Sequence, residues 1–182
     1  RPLTWSPDYD DLAFLKPLLH EKRIVALGES GHGVAQFNAI KVRMIKYLHE
    51  QLGYNLIAFE SPMAECAAAD AIIGSGTPEK VMRKCLFAVW HSKEALELFD
   101  YISKARAAGR DLHITGFDIQ DVRLQPGVID ELKRLIGPRQ ADLSARLERA
   151  EDALRSVRAK RASAVDAAEL GSVYRAVAGV LG

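Results

Sequence analysis

The chain has 182 residues, 25 basic and 24 acidic, giving a formal net charge of +1. With 48% hydrophobic and 27% charged residues it is too apolar to be disordered, and its length suits one sizeable core. The balanced charge lacks the basic footprint of a nucleic-acid binder, and no apolar run approaches the roughly 18 residues of a spanning helix, so neither a nucleic-acid nor a membrane partner is expected.

Three short apolar runs read as strands: residues 24–27, 56–59 and 112–115. None alternates with polar residues, the pattern of strands covered on both faces of a parallel sheet. Helical patterns separate them, as βαβ crossovers require. Each run delivers a carboxylate at or just past its C-terminal end: Glu29, Glu60 and Asp118. In open parallel sheets, that edge is where ligands bind.

The first crossover helix is expected over about 34–51, with Val34, Phe37, Ile40, Met44, Ile45 and Leu48 on one face. Lys41 lies inside that arc, where an unpaired ammonium is costly, so it must either snorkel or pair with an anion such as Glu60 or Glu29. Further helices are expected over 63–73, 79–89 and 92–108. Thr77 and Pro78 start the second of these, and Gly109 stops the third. Cys66 and Cys85 are the only cysteines, too few for a four-ligand zinc site. Cys66 sits among alanines and reads as a small buried thiol, and a cytoplasmic location is expected.

Beyond Asp118 the character turns helical. A short helix over 126–136 ends at Gly137-Pro138, and a longer one over 140–161 carries a seam of Leu143, Leu147, Ala150, Leu154 and Val157. Residues 164–181 can fold back on it. The expected fold class is therefore α/β, a parallel sheet with flanking helices. Residues 1–125 form the core portion and 126–182 a helical extension or lid, in what reads as an incomplete domain.

The turn Gly28-Glu29-Ser30-Gly31-His32-Gly33 carries the most chemistry. It is not a phosphate-binding loop, because no Lys-Ser/Thr follows its last glycine, and it is not a nucleophile elbow, because His32 takes the final glycine's place. It leaves a histidine three residues after a carboxylate. A neutral imidazole whose other nitrogen is oriented by a carboxylate is a competent general base toward water. The plain alternative is an exposed His32 beside a capped helix. Among the other histidines, His91 adjoins a helix start and can face the cleft, His113 reads as a satisfied interior histidine, and His20 and His49 look solvated.

The stretch 27–33, together with Phe37, Lys41, Leu52-Gly53-Tyr54, Ala58-Phe59-Glu60, Trp90 and Gly116-Phe117-Asp118-Ile119-Gln120, resembles the erythromycin esterase family over about residues 24–120. The resemblance implies a bacterial, metal-independent hydrolase that opens macrolide lactones, an antibiotic-resistance activity, with histidine-activated water and no cofactor. It assigns His32 as general base, Glu29 and Glu60 as its carboxylate partners, and Lys41 as the basic residue of the first helix, which is an arginine in macrolide-cleaving members. Ser30, Asp118, Gln120, Trp90 and His91 are the candidates for contacting a small-molecule ester or lactone. The family's second histidine, in its C-terminal half, has no counterpart after His113. Two other readings compete: a metal-dependent hydrolase using Glu29, His32, Glu60 and Asp118, and a non-enzymatic interaction module built on the seam of 140–161.

Overall fold

In a computed structural model, which describes residues 5–118, 127–159 and 162–181, the chain divides into two units, Arg1–Ile119 and Gln120–Gly182. The first unit opens with a 3₁₀ turn, Asp10–Leu15, that runs into a short helix α1, Lys16–Leu19. Helix α2, Ala35–Leu52, follows and is closed by Gly53 at φ 74°, a left-handed conformation that favours glycine. The N-terminal segment is tied to α2 through Arg43. Its guanidinium bonds the Asp11 carboxylate and the Ser6 carbonyl (2.7 Å), and it lies over the Tyr9 ring.

Strand β1, Leu56–Pro62, leads into α3, Met63–Asp70, and then α4, Pro78–Cys85. Thr77 caps α4 by accepting from the Lys80 amide at 3.2 Å, with Pro78 in the first turn. A 3₁₀ turn, Ala88–Trp90, precedes α5, Lys93–Ala107, whose cap Ser92 accepts from the Ala95 amide at 3.1 Å. Gly109 lies at φ 74° just past the end of α5, and strand β2, His113–Asp118, completes the unit. β1 and β2 pair in parallel, with Leu56 opposite His113 and an irregularity between Phe59 and Pro62. At that point Gly116 is obligatory, because a Cβ there would collide with the Ser61 carbonyl and sit 2.6 Å from that of Pro62.

Three expectations need correction. Residues 24–27 form no strand: they pair with nothing regular, and Ile24 is 87% exposed. A strand exists only where a neighbour takes its N–H and C=O groups, and among the described residues β1 has β2 alone as its partner. Nor are the two strands covered on both faces. Ile57 and Ile114 turn into the core, while Leu56 and Phe117 lie outward at 58% and 59% exposure. Finally, Cys66 and Cys85 are not thiols. The contact between α3 and α4 brings their Cα atoms to 4.0 Å, and they form a disulfide.

The core of this unit is built on Phe99, Ile102, Val81, Leu112 and the disulfide, with Phe59 stacked on Phe99 at 5.7 Å. The second unit comprises α6 (Gly127–Ile136), a 3₁₀ turn (Pro138–Gln140), α7 (Ala141–Arg158) and α8 (Ala167–Leu181). The first part of the seam expected on α7 is its core: Leu143 and Leu147 are buried with Val173 and Val177 of α8 and with Ile129 and Ile136 of α6, and Ala150 packs against them. That part of the seam is therefore filled from within the chain. The architecture as a whole is α/β, a parallel sheet with packed helices and a helical C-terminal part. No helix among the described residues is long and apolar enough to cross a membrane.

Candidate active site

The turn after the unpaired segment 24–28 ends in Gly33, whose φ of +75° is costly for any residue with a Cβ. It carries Glu29 and His32 up to the start of α2. The Glu29 side chain is only 6% exposed and serves two partners at once. His32 donates from Nδ1 to Oε1 at 2.9 Å, and the Lys41 ammonium donates to Oε2 at 2.6 Å. Lys41 thus meets the requirement of its apolar helix face by pairing with Glu29 rather than Glu60.

Burial pushes the Glu29 carboxyl up, but the hydrogen bonds and charges of Lys41 and His32 outweigh it and hold the group below the ordinary glutamate value. The carboxylate is therefore an ionised brace. The His32 ring is 57% exposed, and no described residue bonds its Nε2. Trp90 closes one side. Its ring meets the imidazole edge-to-face, with centroids 4.6 Å apart at 78°, and the Lys41 ammonium lies 5.5 Å from its centre.

The remaining expected residues are placed as follows. Glu60 is inside β1 rather than past its end. It is exposed, and no bond joins it to Glu29, His32 or Lys41. Asp118 is the last residue of β2, in register with Pro62. Ser30 is exposed in the turn. His91 has both ring nitrogens engaged near its own segment, with Nε2 at 3.1 Å from the Leu86 carbonyl and Nδ1 at 3.5 Å from Arg83. Gln120 lies outside the described residues. Glu29, His32, Glu60 and Asp118 do not gather into a metal-holding group, and no set of three or more His, Cys, Asp or Glu does so among the described residues.

One contact was not legible in the sequence: Asn38 in the first turn of α2 donates to Ser92 Oγ at 3.4 Å, tying α2 to the start of α5. Nothing in the sequence marks such a bond, since both residues also serve ordinary helix ends.

At the start of α2, then, a nearly buried carboxylate holds a half-exposed histidine and a lysine. The family model described as erythromycin esterase matches residues 49–180, and the chain belongs to that family. The matched stretch contains Glu60, Trp90, His91 and Asp118, while Glu29, His32 and Lys41 precede it. The Bacillus subtilis (strain 168) protein "Putative hydrolase YbfO" is 43% identical over 139 residues, 76% of this chain and 31% of that one. Erythromycin esterase type II of Escherichia coli is 28% identical over 114 residues, 62% of this chain and 27% of its own. A crystal structure of a Bacillus cereus protein matches with a TM-score of 0.59 at 26% identity, over 85% of this chain and 38% of that one. The chain thus spans about 30% of the length of the curated relatives it matches.

Proposed function

We propose that this chain carries the water-activating part of a hydrolase for carboxylic esters, with macrolide lactones as the leading substrate class. The observation that carries the reading is Glu29 bonded to His32 Nδ1 on one side and Lys41 on the other, while His32 Nε2 stands open. A histidine donating from Nδ1 to a carboxylate presents a lone pair on Nε2.

In the reaction, His32 Nε2 takes a proton from water as the water oxygen attacks the ester carbonyl. Glu29 stabilises the resulting imidazolium through the Nδ1–H bond. Backbone N–H groups of the glycine-rich turn meet the oxyanion of the tetrahedral intermediate. The intermediate collapses to an acid and an alkoxide, and His32 returns the proton to the alkoxide oxygen, so one water is consumed per ester. Lys41 keeps Glu29 ionised and fixed. The exposed Glu60 and Ser30 and the half-buried Asp118 act on the substrate side, with Trp90 and His91 at its border. The family relation and the hydrolase and esterase names of the relatives support this reading.

The test is hydrolysis of p-nitrophenyl butyrate, and lactone opening of erythromycin followed as the mass gain of one water, by the chain and by its His32→Ala variant, with circular dichroism confirming the fold. The variant is expected to lose about 10²–10⁴-fold in rate. An undiminished rate in a folded variant would remove His32 from the mechanism.

A further inference from the structure

The residues that carry Glu29 and His32 belong to no helix or strand, so something else must fix the plane of the imidazole. One hydrogen bond to Glu29 fixes a single nitrogen and leaves the ring free to swing about that bond. The second contact is the Trp90 ring, whose centre lies 4.6 Å from that of the imidazole at 78°. Trp90 is itself delivered by a segment, residues 86–92, that is held at several points.

At its start, Cys85 is joined by the disulfide to Cys66 of α3. Next, the Phe87 amide donates to Ser61 Oγ of β1 at 3.1 Å, and Ser61 is fully buried. Further along, His91 faces the Leu86 carbonyl at 3.1 Å and so braces the segment on itself. At its far end, Ser92 accepts from Asn38 of α2. A rigid mount on β1, α2 and α3 thus presses one aromatic ring against an otherwise loosely held histidine. The same ring lies 5.5 Å from the Lys41 ammonium, so it touches both partners of Glu29.

We infer that Trp90 is a positioning residue: its ring, mounted on the segment pinned by Ser61 and the Cys66–Cys85 disulfide, fixes the plane of His32 and so the aim of Nε2. This assignment rests on the reading of His32 as the base. It differs from a role for Trp90 as substrate wall, because a wall acts on substrate affinity and a positioning ring acts on turnover. Misplacement of a reacting group by about 1 Å costs on the order of 10²-fold in rate. Trp90→Ala is therefore expected to lower kcat about 10–100-fold with KM within about threefold. Trp90→Phe keeps an aromatic edge and retains most of kcat.

The experiment joins p-nitrophenyl butyrate kinetics to NMR of the imidazole C–H resonances of His32, assigned with His32→Gln, in the whole chain. Those protons lie in the ring current of Trp90, and their shifts are expected to move strongly in Trp90→Ala and weakly in Trp90→Phe. In a Cys66→Ala/Cys85→Ala double variant they move in the direction of Trp90→Ala, because the mount is loosened. If Trp90→Ala fails to fold, Trp90→Phe and the double variant still carry the shift measurement. Unmoved His32 resonances in all variants would overturn the inference, and so would a rise in KM with kcat preserved in Trp90→Ala. If the chain shows the expected shifts but hydrolyses no ester, the positioning contact stands and the hydrolase reading falls.

Discussion

The first unit builds the same constellation twice, a carboxylate holding a histidine and a basic side chain, and closes it only once. Beside β1 and β2, Asp70 at the end of α3 takes the Ile114 amide (2.9 Å) and Arg106 (2.8 Å) on Oδ1 and faces His113 Nδ1 at 3.0 Å with Oδ2. The other nitrogen of His113 lies 2.9 Å from Asp111. Both faces of that imidazole are spent on carboxylates, and the cluster fastens α3 to the start of β2. In the turn before α2, Glu29 holds His32 and Lys41 in the same way, yet Nε2 of His32 is left open. The comparison teaches that the carboxylate–histidine pair alone does not mark a reactive site. In the proposed mechanism it is the unspent nitrogen that acts.

Replacing each histidine breaks the comparison most directly. His32→Ala is expected to cost about 10²–10⁴-fold in ester hydrolysis and to leave the melting temperature nearly unchanged, since its ring is more than half exposed. His113→Ala is expected to do the reverse, losing about 1 kcal/mol of stability in urea titration with the rate per folded molecule kept. A shared phenotype would show that the two clusters are not functionally distinct.

The carboxylates come next. Asp70→Ala strands the Ile114 amide and Arg106 together, which should cost about 2–3 kcal/mol, measured by urea unfolding. Both carboxyls also link the fold to pH. Burial raises each, but the bonds from His113, Ile114 and Arg106 to Asp70, and from Lys41 and His32 to Glu29, hold both below their ordinary values of 3.8 and 4.5. A depressed carboxyl contributes stability that is fully present above its unfolded-state value and lost as pH falls through its folded-state value. Stability should therefore be level near neutrality and fall below about pH 4, with Asp70→Asn showing a shallower acid slope than the parent chain. Parallel slopes in the two proteins would mean that Asp70 is not held as its hydrogen bonds indicate.

How much of this was legible depends on the range of the force involved. Helices α2, α4 and α5 follow from local rules, with Thr77, Pro78 and Gly109 marking ends of α4 and α5 where expected. The pairing of Lys41 with one of two carboxylates was readable because a buried ammonium allows few alternatives, although which carboxylate was not. The segment 24–27 failed as a strand because apolar composition cannot tell whether a neighbour exists to pair with it. The disulfide was missed because spacing along the chain says nothing of how α3 and α4 face each other. His49 looked solvated among charges, but it packs on Tyr101, with Nδ1 at 2.6 Å from the hydroxyl, and burial lowers its pKa. Neighbours distant in sequence decided each of these cases.

The finest distinction rests on Lys41, whose counterpart in the second cluster is Arg106. Arg106 reaches both the Asp70 carboxylate (2.8 Å) and the Asp70 carbonyl (3.4 Å) from one nitrogen, Nη1, which suits a closed structural joint. Lys41 is a point charge on one oxygen of Glu29, leaving the other oxygen for His32. Lys41→Met removes the charge and leaves a nearly buried carboxylate with His32 alone. Its rate should fall about tenfold or more, because Glu29 then loses the ionised state that orients the base. Lys41→Arg keeps the charge but offers a fork that can take both oxygens and compete with the His32 Nδ1–H. The expected outcome is a smaller loss, about two- to fivefold in kcat, with the His32 resonances displaced. If Lys41→Arg matches the parent chain in both readouts, the two cations are interchangeable beside Glu29, and the contrast with Arg106 is one of location alone.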